Sequence, residues 1–209
     1  RFATRVEYDG EKMQITNHSS QKRNLQIFSY GEVILNSQIA DGRHPAFNKL
    51  FIDSDFDTET KTLIFERRQR TEEDGLICLG HSISISSTNQ AKYLFCSDRE
   101  KFIGRGGNIQ SPVVLKNPTG VFANPFDSNE IQAQLDPIFC AGLQIELNPH
   151  TAYSMAFLTI ADETRLRVKE LAQKYQNWNQ IEISFTQAFN LSRQNMKQLE
   201  LTIKELKQY

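Results

Sequence analysis

Three cysteines, one tryptophan and a formal net charge of -1 leave little in this sequence that announces a function. Cys78, Cys96 and Cys140 are widely spaced and set among apolar residues. An odd count without paired spacing excludes a disulfide framework and points to core thiols in a reducing compartment. The near-zero net charge gives no long-range attraction to nucleic acid or anionic lipid. No apolar run approaches the roughly 20 residues that span a bilayer, so membrane contact by this stretch is not expected. His18, His44, His81 and His150 lack metal-ligand spacing, and no H-E-x-x-H or G-x-S-x-G pattern occurs. Asn17-His18-Ser19 and Asn190-Leu191-Ser192 match the glycosylation triplet, but no secretion signal accompanies them. The chain opens on the strand-like Arg1-Phe2-Ala3, which reads as a cytoplasmic piece of something longer.

What is present is strand signal, then helix signal. The length of 209 residues suits one large β domain with an appendage, and 39% hydrophobic with 23% charged residues is ordinary for a globular chain. Phe2 to Val6 and Met13 to Asn17 flank Asp9-Gly10, a strong hairpin signal. Asn24 to Leu35 reads as a long central strand, with Leu25, Ile27, Val33 and Leu35 on one face and Phe28, Tyr30 and Ile34 on the other. Glu32 shares the second face and needs a partner or water. A loop to Pro45 leads into an expected strand over Ala46 to Ile52. Leu63 to Arg67 and Leu76 to Ser86 are further strands, and the second alternates Ile77, Leu79, His81, Ile83 and Ile85 against Cys78, Gly80, Ser82, Ser84 and Ser86. His81 thus reads as a hydrogen-bonded core histidine. Pro112 to Asn129 reads as irregular surface. Leu143 to Leu147 and Tyr153 to Phe157 form a second expected hairpin across Asn148-Pro149-His150-Thr151.

At Asp162, an expected N-cap, the period changes to that of a helix, carried by Val168, Leu171, Ala172 and Tyr175. After Asn177-Trp178-Asn179 a second helix presents Phe185, Phe189, Ser192, Met196, Leu199, Ile203 and Leu206 along one apolar seam. That seam needs a groove in the sandwich, in a further domain, or in a second copy of the chain as a homodimer. The fold class is therefore mainly β, an antiparallel sandwich over residues 1–161, with a helix pair over 162–209.

Three constellations invite chemistry. Asp53-Ser54-Asp55-Phe56-Asp57 fails as a calcium loop, because Thr58 stands where the turn glycine belongs and Ile64 where the bidentate glutamate belongs. It reads as a solvated strand edge. Arg67, Arg68 and Arg70 read as a solvated strand end. The stretch Ser97 to Gly107 combines Arg99, Arg105, Gly104, Gly106 and Gly107 with Asp98 and Glu100. Two readings stand: a ligand-facing loop whose arginines bind an anion or vicinal hydroxyls, and a tight turn whose arginines pair with Asp98 and Glu100. A dinucleotide site is excluded by the absence of G-x-G-x-x-G.

Four ordered motifs carry a resemblance: Tyr30-Gly31-Glu32-Val33-Ile34-Leu35, His44-Pro45-Ala46-Phe47-Asn48-Lys49-Leu50-Phe51, Asp98-Arg99-Glu100-Lys101-Phe102-Ile103-Gly104-Arg105-Gly106, and Leu135-Asp136-Pro137-Ile138-Phe139. From about Asn24 to its end the chain resembles the phosphorylase-like region of bacterial cyclic β-1,2-glucan synthases (glycosyltransferase family 36, cellobiose phosphorylase type). His150 stands where the family usually has glycine. The resemblance implies a galactose mutarotase-like supersandwich and linker helices, followed in the family by an α/α-barrel that holds the general acid and most of the phosphate site. It implies no catalytic residue, metal or cofactor in this stretch, which alone would be inactive; inorganic phosphate would belong to the barrel. The parent would be associated with the inner membrane. The implied partners are that barrel and a β-glucan or glucose-type acceptor, held by Arg99 and Arg105 with Gly104 and Gly106 shaping the loop. Two other roles remain open, an autonomous carbohydrate-binding module and a structural interaction domain.

Overall fold

A computed structural model describes residues 4–9, 12–69, 75–86, 91–116 and 132–198. Among them, seven strands form one antiparallel sheet in the order β1 (Thr4–Asp9), β2 (Lys12–Asn17), β10 (Ala152–Asp162), β6 (Cys78–Ile85), β5 (Thr62–Arg67), β4 (Ile52–Asp57) and β8 (Gln132–Ala133). A smaller sheet runs β3 (Arg23–Glu32), β9 (Pro137–Leu147), β7 (Ala91–Asp98). Period-two patterning gives the central strands an inner face, and Phe65, Leu143, Ile145 and Met155 are fully buried where the two sheets meet.

The outer faces also carry apolar residues, and helices cover them. On the large sheet, α5 (Arg165–Gln176) buries Val168 and Ala172 against Ile64, Cys78 and Ile160. Gly80 makes the close approach possible: a Cβ there would lie 2.5 Å from Val168 Cγ1. On the small sheet, α3 (Arg99–Ile103) and α4 (Val113–Lys116) bury Phe102, Ile103 and Val114 against Leu94, Cys96, Ile138 and Cys140. The last helix, α6 (Trp178–Gln198), docks through buried Ile181 and an ion pair between Lys12 and Glu182 at 3.0 Å.

Several expectations are corrected. Leu143–Leu147 and Tyr153–Phe157 face each other, but no hairpin ladder joins them. β9 is bonded on both sides by β3 and β7, and β10 by β2 and β6, so neither has a free edge for the other. His150 takes φ 57 in their connection, which gives a physical reason for glycine there. β3 ends at Glu32 and pairs with β9 alone among the described residues. Its second apolar face is covered by α3, where Phe102 stacks on Tyr30 at 5.3 Å and meets Phe28 edge-on at 6.1 Å.

Residues 46–52 are not one strand. Ser37 caps α1 (Gln38–Arg43), and Pro45 opens α2 (Pro45–Lys49). Proline's fixed φ suits the first helical turn. Asn48 locks the two helices, donating to Ala40 O at 2.6 Å and accepting from Asn36 Nδ2 at 2.8 Å. The cap of α5 is Thr164, which accepts from Arg167 N, while Asp162 accepts from Glu163 N at 2.8 Å. The aspartates of β4 are not a solvated edge. Asp55 pairs with Arg165, which also meets Glu66 at 3.1 Å, and Asp57 pairs with Lys169, so these two clamp α5 to the sheet, while Asp53 pairs with Arg68 at 3.1 Å. Nor are Arg67 and Arg68 merely solvated: they donate to Asn48 O and Leu50 O at 3.1 and 2.7 Å and hold α2.

Expectations placed on Gly10, Arg70, Leu199, Ile203 and Leu206, and most of those on 112–129, fall outside the described residues. Within the described part of the seam, Phe185 is half-buried and Phe189 exposed. No helix among the described residues is long and apolar enough to cross a membrane. Asn17 is fully buried and donates to Gln21 O, Leu147 O and Asn148 O, so its glycosylation triplet serves the fold.

His81 lies in the core as expected, stacked on Phe139 at 4.2 Å, with Nδ1 3.1 Å from Thr159 Oγ1. Its Nε2 is buried and has no hydrogen-bond partner. Burial pushes its pKa down to about 4. The unfolded chain takes up this proton near pH 6.5 and the folded chain only near 4, so the His81 contribution is present above pH 6.5 and declines as pH falls toward 4. Urea denaturation is expected to lose about 2 kcal/mol between pH 6.5 and 4.5, and His81→Phe should flatten that slope. A second outcome concerns Gly80→Ala, expected to cost about 1–3 kcal/mol by pushing α5 off the sheet. Combined with Val168→Ala, the two losses should be less than additive in a double-mutant cycle.

Candidate functional site

The chain ends of the small sheet converge on one corner. β3 delivers Tyr30 and Glu32, β7 runs through Ser97 into α3, and Asp136 immediately precedes β9. Lys49, the last residue of α2, closes the corner from above. Lys49 Nζ lies 2.5 Å from Asp136 Oδ1 and 3.6 Å from Glu32 Oε2. Arg99 Nε lies 3.7 Å from both Glu32 Oε1 and Asp136 Oδ2, and its positive charge opposes the rise of the Tyr30 phenol pKa. Burial pulls the Lys49 ammonium down, but the hydrogen bond to Asp136 and the charges of Asp136 and Glu32 outweigh it and leave the pKa raised. Burial also raises the Tyr30 phenol, assisted by Glu32. Beside this network Gln134 Nε2 donates to Ser97 Oγ at 2.7 Å.

The Arg/Gly stretch is a helix followed by a corner. Asp98 Oδ1 accepts from Glu100 N at 2.8 Å and caps α3. Gly104 N donates to Glu100 O at 2.9 Å and ends the helix. Gly104 at φ 89 and Gly106 at φ 70 occupy conformations that side chains disfavour, and Arg105 projects between them. Neither of the two readings of this stretch describes it fully. Arg99 is a turn-anchoring arginine, although its partners are Glu32 and Asp136 rather than Asp98 and Glu100. Arg105 is exposed, and no ion pair or hydrogen bond ties it among the described residues.

Sequence reasoning foresaw that Glu32 needs a partner but not that the partners are Lys49 and Arg99. Lys49 and Asp136 lay inside quoted motifs without a role; the one available signal was an isolated charge beside apolar residues in each, Phe47-Asn48-Lys49-Leu50 and Leu135-Asp136-Pro137-Ile138. Around the network the side chains of Ile34, Phe47, Leu50 and Leu135 are exposed, the last at 78%. The corner therefore offers balanced charges inside an apolar rim. Among the described residues no three His, Cys, Asp or Glu side chains group as a metal site. Removing Asp136 as Asp136→Ala takes the nearer carboxylate from the Lys49 ammonium, whose side chain is 13% exposed, and leaves it only Glu32 at 3.6 Å. The expected loss is about 1–2 kcal/mol, against less than about 0.5 kcal/mol for Arg105→Ala, both read by chemical denaturation.

Comparison with known proteins agrees with this architecture. The family model described as "Glycosyl hydrolase 94, supersandwich domain" matches residues 6–178, from β1 to the first residue of α6. The chain is also similar to "Cyclic beta-(1,2)-glucan synthase NdvB" of Rhizobium meliloti (strain 1021), at 23% identity over 203 residues. That alignment covers 97% of this chain and 7% of the relative, so the chain spans a small part of the relative's length. The two stacked antiparallel sheets and the family match over most of its length place this chain in the glycosyl hydrolase 94 supersandwich family.

Proposed function

We propose that this chain is a non-catalytic sandwich domain of a glucan-processing enzyme. In this reading it scaffolds a catalytic domain of the same polypeptide and lends it a contact to the acceptor sugar. The observation that carries the reading is the corner at the end of the small sheet, where Arg105 is exposed, with no ion pair or hydrogen bond among the described residues, beside a network that fixes Arg99. A guanidinium can donate two parallel hydrogen bonds to neighbouring sugar hydroxyls. Arg105 is the sugar-contacting residue, Gly104 and Gly106 set its direction, and Arg99 holds α3 in place. The exposed side chains of Ile34, Phe47, Leu50 and Leu135 form the surface on which the catalytic domain rests, since apolar area of this kind is more often covered than left in water.

The similarity to a cyclic glucan synthase supports a β-1,2-linked glucan as the acceptor. A catalytic acid and any phosphate would come from the other domain. An autonomous carbohydrate-binding module is less well supported, because sugar-binding surfaces usually present aromatic platforms and most rings here are packed in clusters. Titration calorimetry of this chain with linear β-1,2-gluco-oligosaccharides tests the reading. Weak binding is expected, with Kd about 1–10 mM, lost in Arg105→Ala. Micromolar binding that survives this substitution would identify an autonomous module instead. Complete absence of binding would remove the acceptor contact and leave only the scaffold role.

A further inference from the structure

The three cysteines are not equivalent. Cys78 sits under α5, whereas Cys96 and Cys140 share the cluster under α3 and α4. Cys96 on β7 and Cys140 on β9 are direct Cα partners in the antiparallel ladder. Residues paired in this way point to the same face with Cα atoms about 4.5–5.5 Å apart. A disulfide accepts Cα separations of about 4.4–6.8 Å, so the backbone already has the spacing it needs. Both thiols are free. Burial holds the Cys140 thiol protonated, and the neighbouring Cys96 sulfur adds to the effect. Cys96 Sγ donates to Asp98 O at 3.4 Å, the residue whose carboxylate caps α3.

We propose that Cys96 and Cys140 form a modification site, a dithiol that a small peroxide converts reversibly into a cross-strand disulfide beneath α3. The Cys96 thiolate attacks one peroxide oxygen, the O–O bond breaks, and hydroxide leaves as water with the Cys96 proton. The Cys140 thiolate then attacks the resulting sulfenic sulfur, the S–O bond breaks, and a second water leaves with the Cys140 proton. Two thiols lose two electrons, one peroxide gains them, and a dithiol reductant reverses the change. Cys96 is the first nucleophile because it is 6% exposed while Cys140 is fully buried. A small oxidant suits the site, since Phe102, Ile103 and Val114 close over both sulfurs. The rate rises with pH, because burial pushes the Cys96 thiol up to about 11, with the Asp98 charge adding to the rise and the Asp98 backbone bond and the Lys101 charge opposing it.

This site stands independently of the sugar-binding reading. The native full chain is treated with hydrogen peroxide, alkylated after denaturation and mapped by peptide mass. The expected product has lost two hydrogens, links the Cys96 and Cys140 peptides, leaves Cys78 alkylated, and returns to the free thiols with dithiothreitol. Cys78→Ser should behave as the parent does, and Cys96→Ser or Cys140→Ser should yield no internal link. The proposal is overturned if the native chain keeps three alkylatable thiols, is oxidised at Cys96 without a link, or forms its link through Cys78.

Discussion

Every layer of this molecule depends on strands that are buried on both faces. β6 sends Leu79, His81 and Ile83 toward the small sheet and Cys78 and Gly80 toward α5. β9 sends Leu143 and Ile145 inward and Ile138 and Cys140 toward α3 and α4. Alternation with a period of two makes this possible without a change in backbone geometry. The result is a sandwich whose outer faces are themselves packing surfaces, so two short helices and one long one can be fixed against it. Because β9 and β10 are both interior strands, the chain must cross between sheets in their connection, and the positive φ of His150 is a local consequence.

The two faces of β3, the alternation of β6, the core position of His81 and the helical face of α5 were legible in the sequence, because each follows from spacing alone. What was not legible came from partners distant in sequence. Pro45 reads equally well as the start of a strand or the first turn of a helix, and the bonds made by Asn48 to Ala40 and Asn36 decide for the helix. The aspartates of β4 look like a solvated edge until Arg165 and Lys169, more than a hundred residues later, are placed over them. The apolarity of both faces of β3 was visible, but whether a second strand layer or a helix covered the outer face depended on Phe102.

The same limit applied to the corner that carries the candidate site. Arg99 and Arg105 look equivalent in sequence, six residues apart in one polar stretch. They differ because Arg99 follows the capping aspartate of α3 and faces the ends of β3 and β9, where Glu32 and Asp136 already stand. Arg105 lies past the helix, between two glycines with positive φ. Two cations and two carboxylates cancel in the network, so it holds α3 by directional contacts rather than by a net field. Beside this balanced network the Arg105 guanidinium is exposed and, among the described residues, without an ion pair or hydrogen bond, which leaves its fork of donors open to neutral hydroxyls.

Rigidity is what links the corner to the rest of the fold. A sugar contact by one arginine is useful only if its backbone is held to a fraction of an ångström, and a five-residue helix cannot hold itself. Here α3 is pinned at its first turn by Arg99 and beneath by Phe102 stacked on Tyr30, while the bond from Gly104 N to Glu100 O only closes its last turn. Each pin reaches a strand of the small sheet or the segment leading into it, and that sheet is in turn seated on the large one through Leu143 and Ile145. The position of Arg105 is thus set by the same apolar packing that closes the sandwich, and a defect in that packing should reach the corner before it reaches the outer strands of the large sheet.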